Sequence, residues 1–171
     1  MKWRTILGLS ATAALGLAVL PSSAVSQQKS LKDQLVGTWT LVSWEQDVPS
    51  GPKYQRFGSN PKGFNIFDAN GRFFIMFARP DLPKIASNNP SNPTPEEAKA
   101  IVGGAIGYFG TYTVDEAAKV VSLRVEASSF PNQLAGDQKR TITALTGSEL
   151  KYQNTTALTG GQIYYVFKRA N

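Results

Sequence analysis

From Val36 to Arg169 the chain runs in short stretches of alternating apolar and polar residues, each closed by Gly, Pro, Asn or Asp. Alternation with period two sends successive side chains to opposite faces of a strand. Turn residues at this spacing mark antiparallel connections. The first stretch, Leu35–Trp44, puts Trp39, Leu41, Ser43 and Glu45 on one face and Thr38, Thr40, Val42 and Trp44 on the other. Pro49, Gly51 and Pro52 end it, and a short strand is expected near Tyr54–Phe57. Gly63–Asp68 and Arg72–Arg79 form a hairpin about Asn70-Gly71, a pair that accepts positive φ at low cost. Tyr108–Val114, Val120–Ser129, Gln138–Leu145, Leu150–Thr156 and Gln162–Arg169 follow as strands. Eight or nine strands with short connections predict an all-β fold, a single antiparallel up-and-down barrel. Closure leaves such a sheet no free edge. A β-sandwich satisfies the same periodicity.

Two segments depart from the pattern. Phe73-Phe74-Ile75-Met76-Phe77 is apolar on both faces, so one face lines an interior and the other needs a cover. Thr94-Pro95-Glu96-Glu97 starts a helix, with Thr at the cap, Pro at the first helical position and Glu placed for a capping box. Ala98, Ile101, Val102, Ala105 and Ile106 continue at helical spacing. One short helix is therefore expected to cover a wall or a mouth of the barrel. Pro80–Pro93 reads as an irregular surface loop. Gly103-Gly104 lacks the spacing of a phosphate loop, and Asp68-Ala69-Asn70-Gly71 lacks the later ligands of a calcium loop.

The first 26 residues differ in kind. Lys2 and Arg4 precede an apolar stretch, Thr5–Leu20; Pro21 breaks it, and small residues run from Ser22 to Ser26. That order is the pattern of a secretory signal peptide. The expected organisation is a leader over 1–26 cleaved near Ser26, an N-terminal segment over 27–34, and a barrel domain over 35–171. The mature protein would be periplasmic or secreted, with no stable membrane insertion after cleavage. Losing Lys2 and Arg4 lowers the formal charge from +6 to about +4. The remaining basic residues are scattered, which argues against a nucleic-acid partner. The chain has neither Cys nor His. Disulfides, His- or Cys-ligated zinc and Ser-His-Asp or Cys-His nucleophiles are thereby excluded; no metal and no cofactor is expected.

Several motifs go beyond strand patterning. Gly37-Thr38-Trp39 resembles the Gly-x-Trp signature of lipocalins. Tyr108–Glu116, Val125–Ser128 and the ordered set Phe130-Pro131-Asn132, Gly136, Gln138 and Arg140 resemble the bacterial and fungal lipocalin-like domain family. Asn60–Gly63 and Arg79–Asp81 fit the same family. The resemblance covers nearly the whole segment after the leader and implies a small calycin-type barrel, in a family whose biochemical role is largely undefined. Members often carry His about where Arg124 stands. A permanent cation in place of a titrating group tilts this chain from acid–base work toward holding an anion.

The candidate binding residues are Ser43, Phe64, Phe74 (or Phe73), Met76, Tyr112, Arg124, Glu126, Asn132, Gln138 and Arg140. Ser122, Arg124, Glu126 and Ser128 share one face of their strand, as Gln138 and Arg140 do of the next. Either those faces point into the barrel as a charged array, or they face solvent as cross-strand ion pairs worth at most about 1 kcal/mol each. Trp39 reads as a plug at a closed end. The leading expectation is an exported protein that binds a small lipophilic or amphipathic molecule, with an anionic end met by Arg124 or Arg140. Two alternatives stand beside it: a cofactor-independent isomerase or cyclase using Glu126 and Tyr112, and a filled barrel acting as an envelope scaffold or interaction module.

Overall fold

The computed structural model describes residues 29–134, 136–154 and 160–170. The leader and the end of the expected strand at Thr155-Thr156 lie outside the described residues. Eight strands run in order around a closed antiparallel barrel. They are β1 (Gly37–Gln46), β2 (Lys62–Phe67), β3 (Arg72–Ala78), β4 (Ala105–Asp115), β5 (Val120–Ser128), β6 (Gln138–Leu145), β7 (Glu149–Asn154) and β8 (Ile163–Arg169). β1 pairs with β8 and closes the ring. Two helices accompany them, α1 (Leu31–Leu35) and α2 (Pro95–Gly104), with a 3₁₀ turn at Pro131–Leu134. Among the described residues no helix is long and apolar enough to cross a membrane.

The expected hairpin forms as β2–β3, but its connection is wider than a two-residue turn. Asp68 N–H donates to the Arg72 carbonyl at 2.8 Å, the Asp68 carboxylate accepts from Arg72 N–H at 2.7 Å, and Gly71 takes φ +85°. Ala69, Asn70 and Gly71 are thus the loop, and a left-handed Gly finishes it. The strand expected near Tyr54–Phe57 is reduced to a single bridge between Gln46 and Tyr54.

β1 and β8 shift register between Leu41 and Ser43, a β-bulge. One extra residue on one strand reverses the inward phase. Trp39 and Leu41 point in before the bulge; Trp44 and Gln46 point in after it. The expected pattern, with Ser43 and Glu45 on the Trp39 face, is corrected by this one residue. A second close approach joins β4 to β5, where a Cβ on Gly110 would collide with the Arg124 carbonyl. Only glycine lets those two backbones meet there.

The two ends of the barrel differ. At one end Trp39 is 0 % exposed and donates its indole N–H to the Leu35 carbonyl at 2.7 Å. Arg169 lies over the ring at 4.1 Å and donates to the carbonyls of Gln34, Val36 and Gly147. α1 sits at this end. Its first two N–H groups, on Leu31 and Lys32, donate to the Glu116 carboxylate from the β4–β5 turn at 2.8 and 3.1 Å. Phe67, Phe73, Leu123, Leu150 and Phe167 pack into one hydrophobic core with Trp39.

α2 begins as expected. Thr94 and Glu97 form a complete capping box behind Pro95. It ends earlier than its periodicity implies, because Ala105 and Ile106 belong to β4. The helix borders the opposite, open end and does not cover the outer face of β3. Phe64, Phe74 and Phe109 there remain 38–40 % exposed.

Candidate functional site

The open end holds a cavity of about 380 Å³. Its position follows from strand direction. The ends of β1, β3 and β7 and the beginnings of β4, β6 and β8 all reach this end, each contributing inward residues. One side of the cavity is aromatic and aliphatic: Trp44, Phe57, Phe77, Ile106, Tyr108 and Tyr165. The other side carries amides and a guanidinium: Gln46, Gln133, Gln138, Asn154 and Arg140. Edge-to-face contacts lock the aromatic side, with Trp44 at 5.5 Å from Phe57 and 6.3 Å from Tyr165.

Two elements close over part of the mouth. Arg56 donates from Nε to the Gly103 carbonyl at 2.9 Å and from Nη2 to the carbonyls of Val102 and Ala105. It thereby caps the C-terminus of α2, where the helix dipole presents negative charge. Burial lowers the Arg56 pKa, yet three carbonyl acceptors hold the cation in place. The 3₁₀ turn is pinned by Ser128, whose hydroxyl donates to Gln133 Oε1 at 2.7 Å.

Arg140 is the most unusual group in the site. It is 2 % exposed. Nη1 donates to the Lys139 carbonyl at 3.1 Å, and the guanidinium lies 5.5 Å from the Tyr165 ring centre. Its Nε has no hydrogen-bond partner. Burial works against its charge, and the phenols of Tyr165, Tyr108 and Tyr152 around it outweigh that effect, so its pKa is raised. Burial likewise pushes Tyr108 up to about 12, and raises Tyr152 well above the ordinary phenol value. Below the cavity, Asn65 Nδ2 donates to the Tyr152 hydroxyl at 3.0 Å. Among the described residues the lining therefore sets two guanidiniums, Arg56 and Arg140, among phenols and amides, with no carboxylate on it.

The structure brings together two of the expected binding residues, Gln138 and Arg140, on the cavity wall. The others lie elsewhere. Arg124 and Glu126 are exposed on the outer face of β5, because Val121, Leu123 and Val125 fill the core. Glu126 pairs there with Arg72, at 2.7 and 2.9 Å. Phe64, Phe74 and Met76 project from the outer wall of β2 and β3, while Phe73 is buried in the core. The bulge turns Ser43 away from the interior. Asn132 is exposed on the 3₁₀ turn, where its neighbour Gln133 takes the place on the cavity wall. Tyr112 is buried near the closed end, packed on Phe67 at 4.9 Å, and its hydroxyl donates to the Asp68 carbonyl. Burial, with the charges of Asp68 and Asp33, pushes its pKa up to about 12. Glu126 and Tyr112, the pair the isomerase reading needs, are thus not in the cavity.

Trp44, Gln46, Tyr108, Asn154 and Tyr165 were absent from the expected set. Trp44 and Gln46 are hidden from a periodicity argument by the bulge. Tyr108 and Tyr165 alternate as ordinary core positions, and nothing in their spacing marks them as cavity walls.

The described residues form an eight-stranded up-and-down barrel, filled at one end and hollow at the other. The lipocalin-like domain family model matches residues 36–166, and the chain belongs to that family. Among solved structures, a lipocalin-like protein from Bacteroides uniformis is similar at 15 % identity and TM-score 0.43, covering 80 % of this chain and 99 % of that one. A redesigned β-barrel is similar at 14 % identity and TM-score 0.44, covering 84 % and 100 %. No curated protein matches the chain.

Proposed function

We propose that this protein binds a small amphipathic molecule in the open end of its barrel. The observation that carries the reading is the two-sided lining of the 380 Å³ cavity, aromatic on one side and amide-rich with Arg140 on the other. Specific sites for small molecules commonly combine an apolar wall with a few placed polar groups, in volumes of about 300–1,000 Å³. A filled scaffold has no use for such a hollow. An isomerase or cyclase needs a base, and the wall offers phenols held protonated and a guanidinium. Export is part of the proposal and is supported by the charged, apolar, small-residue order of Met1–Ser26.

Trp44 lines the cavity whereas Trp39 is sealed at the other end. Titration with amphipathic ligands is therefore expected to change Trp44 emission, and a Trp44→Phe variant to lose the response while Trp39→Phe keeps it. Native mass spectrometry of the purified protein should show a mass that solvent extraction removes. If no amphipathic ligand perturbs Trp44 and no extractable mass is carried, the binding reading fails.

A further inference from the structure

Among the described residues, Arg140 is a buried cation with no carboxylate on the cavity wall it shares. No ion pair among the described residues includes it. The residues outside the described set contain no Asp or Glu. Burial holds the Tyr108 and Tyr152 phenols beside it protonated, and its Nε is unpartnered. Arg56, the other cation on the wall, is committed to the carbonyls of α2. A cation removed from water without a partner costs several kcal/mol, and a fold has no structural need for one here, since an apolar side chain would fill the same place.

The position of the charge matters as much as its sign. Arg140 is buried, whereas Val102 at the rim of the same cavity is 65 % exposed, and Phe130 beside it is exposed as well. The apolar wall reaches the same depth as Arg140, at Trp44, Phe57, Phe77 and Ile106, and runs out to the rim at Val102. An amphipathic guest with its charge at the mouth would leave Arg140 bare, whereas one with its charge at Arg140 keeps its body along that wall.

Resting on the guest-binding reading above, the geometry points to a more definite occupant: a carboxylate monoanion that enters charge first. Its oxygens meet Arg140 Nε and the Tyr108 hydroxyl, and its apolar body lies back toward Val102 and Phe130. One uncompensated cation calls for one negative charge. A phosphate dianion would leave a second charge buried among amides.

Matched ligands test this. Decanoate and methyl decanoate, 2-naphthoate and methyl 2-naphthoate, and decyl phosphate are titrated calorimetrically at pH 7 into wild type, Arg140→Met, Arg140→Gln and the outer-wall control Arg124→Met. Circular dichroism checks the fold of each. The expected result is at least tenfold preference for each acid over its ester in wild type and Arg124→Met. That preference should collapse to about onefold in both Arg140 variants, with ester affinity retained. Acid and ester binding equally to wild type, or an acid preference that survives in both Arg140 variants, overturns the inference while leaving an amphipathic binding site in place. Decyl phosphate binding tighter than decanoate overturns the carboxylate assignment in favour of a dianion. Failure of every acid and ester to bind removes the guest-binding reading, and this inference falls with it.

Discussion

At the scale of single residues, Arg140 and Arg169 show what burial of a guanidinium can do. Arg169 donates to three backbone carbonyls and lies over Trp39, so its charge is well solvated by the protein. Arg140 donates to one backbone carbonyl and bonds the Tyr108 hydroxyl, and its Nε has no partner. The two should respond oppositely to the same change. A charge buried without a counter-ion carries a desolvation cost of several kcal/mol, which an apolar side chain of similar volume does not. Arg140→Met is therefore expected to raise the urea midpoint of the guest-free protein. Arg169→Met should lower the midpoint, with a stability loss of about 2–3 kcal/mol from the charge-assisted bonds lost. Two-state urea melts of both variants check this, and a lower midpoint for Arg140→Met counts against an uncompensated charge. The same scale shows what periodicity resolves. Arg124 with Glu126, and Gln138 with Arg140, present identical alternating signals in the sequence. The first pair faces water because the opposite face of β5 is Val121, Leu123 and Val125. The second faces inward, since β6 passes beside the hollow end, where a polar wall needs no apolar packing.

At the scale of elements, local chemistry decided where α2 starts and distant chemistry decided where it stops. The Thr94–Glu97 capping box and Pro95 are adjacent in sequence and were legible there. The end of the helix is set by Arg56, 46 or more positions away, and by the pairing of Ala105 with Ala78. Glu97 also carries a pH signature. Its carboxylate accepts from the N–H groups of Thr94 and Ala86, and those bonds lower its pKa below 4.5. A depressed folded-state value means that the stabilisation is present above the unfolded-state pKa. It is lost as pH falls through the folded-state one. Protection of the Ala86 and Thr94 amides, taken relative to the intrinsic exchange rate at each pH, is thus expected to fall in acid below that window. In Glu97→Gln, which has no titrating group, that step in protection should disappear. α1 illustrates the reverse case. Its sequence carries only a Ser30 cap, and the carboxylate that satisfies its first N–H groups comes from Glu116 across the barrel. No local pattern announces such a helix.

At the scale of the whole molecule, the sealed packing and the proposed binding site lie at opposite ends of the barrel. The closed end has α1, Arg169 and the sealed Trp39. The open end gives up packing to a cavity, and amides and a cation there replace apolar contacts. Occupancy should restore what the empty cavity lacks. A guest at about 100 times its Kd adds about 2.7 kcal/mol to the folded state. A saturating carboxylate is thus expected to raise Tm in wild type and to raise it less in Arg140→Met, as scanning calorimetry will read.

The sequence alone determined the eight strands of the ring apart from their exact ends, their antiparallel order, the β2–β3 hairpin, the start of α2 and the lipocalin-like family; the strand it also offered near Tyr54–Phe57 is a single bridge. Each depends on neighbours within a few positions, through alternation, capping and turn conformations. Only the tertiary structure decided which faces enclose the hollow. One bulge in β1 reverses the phase of Trp44 and Gln46. Closure of β1 on β8 then brings residues from six strands to one mouth. The sign of an inward face is a property of the closed ring, and no single strand carries it.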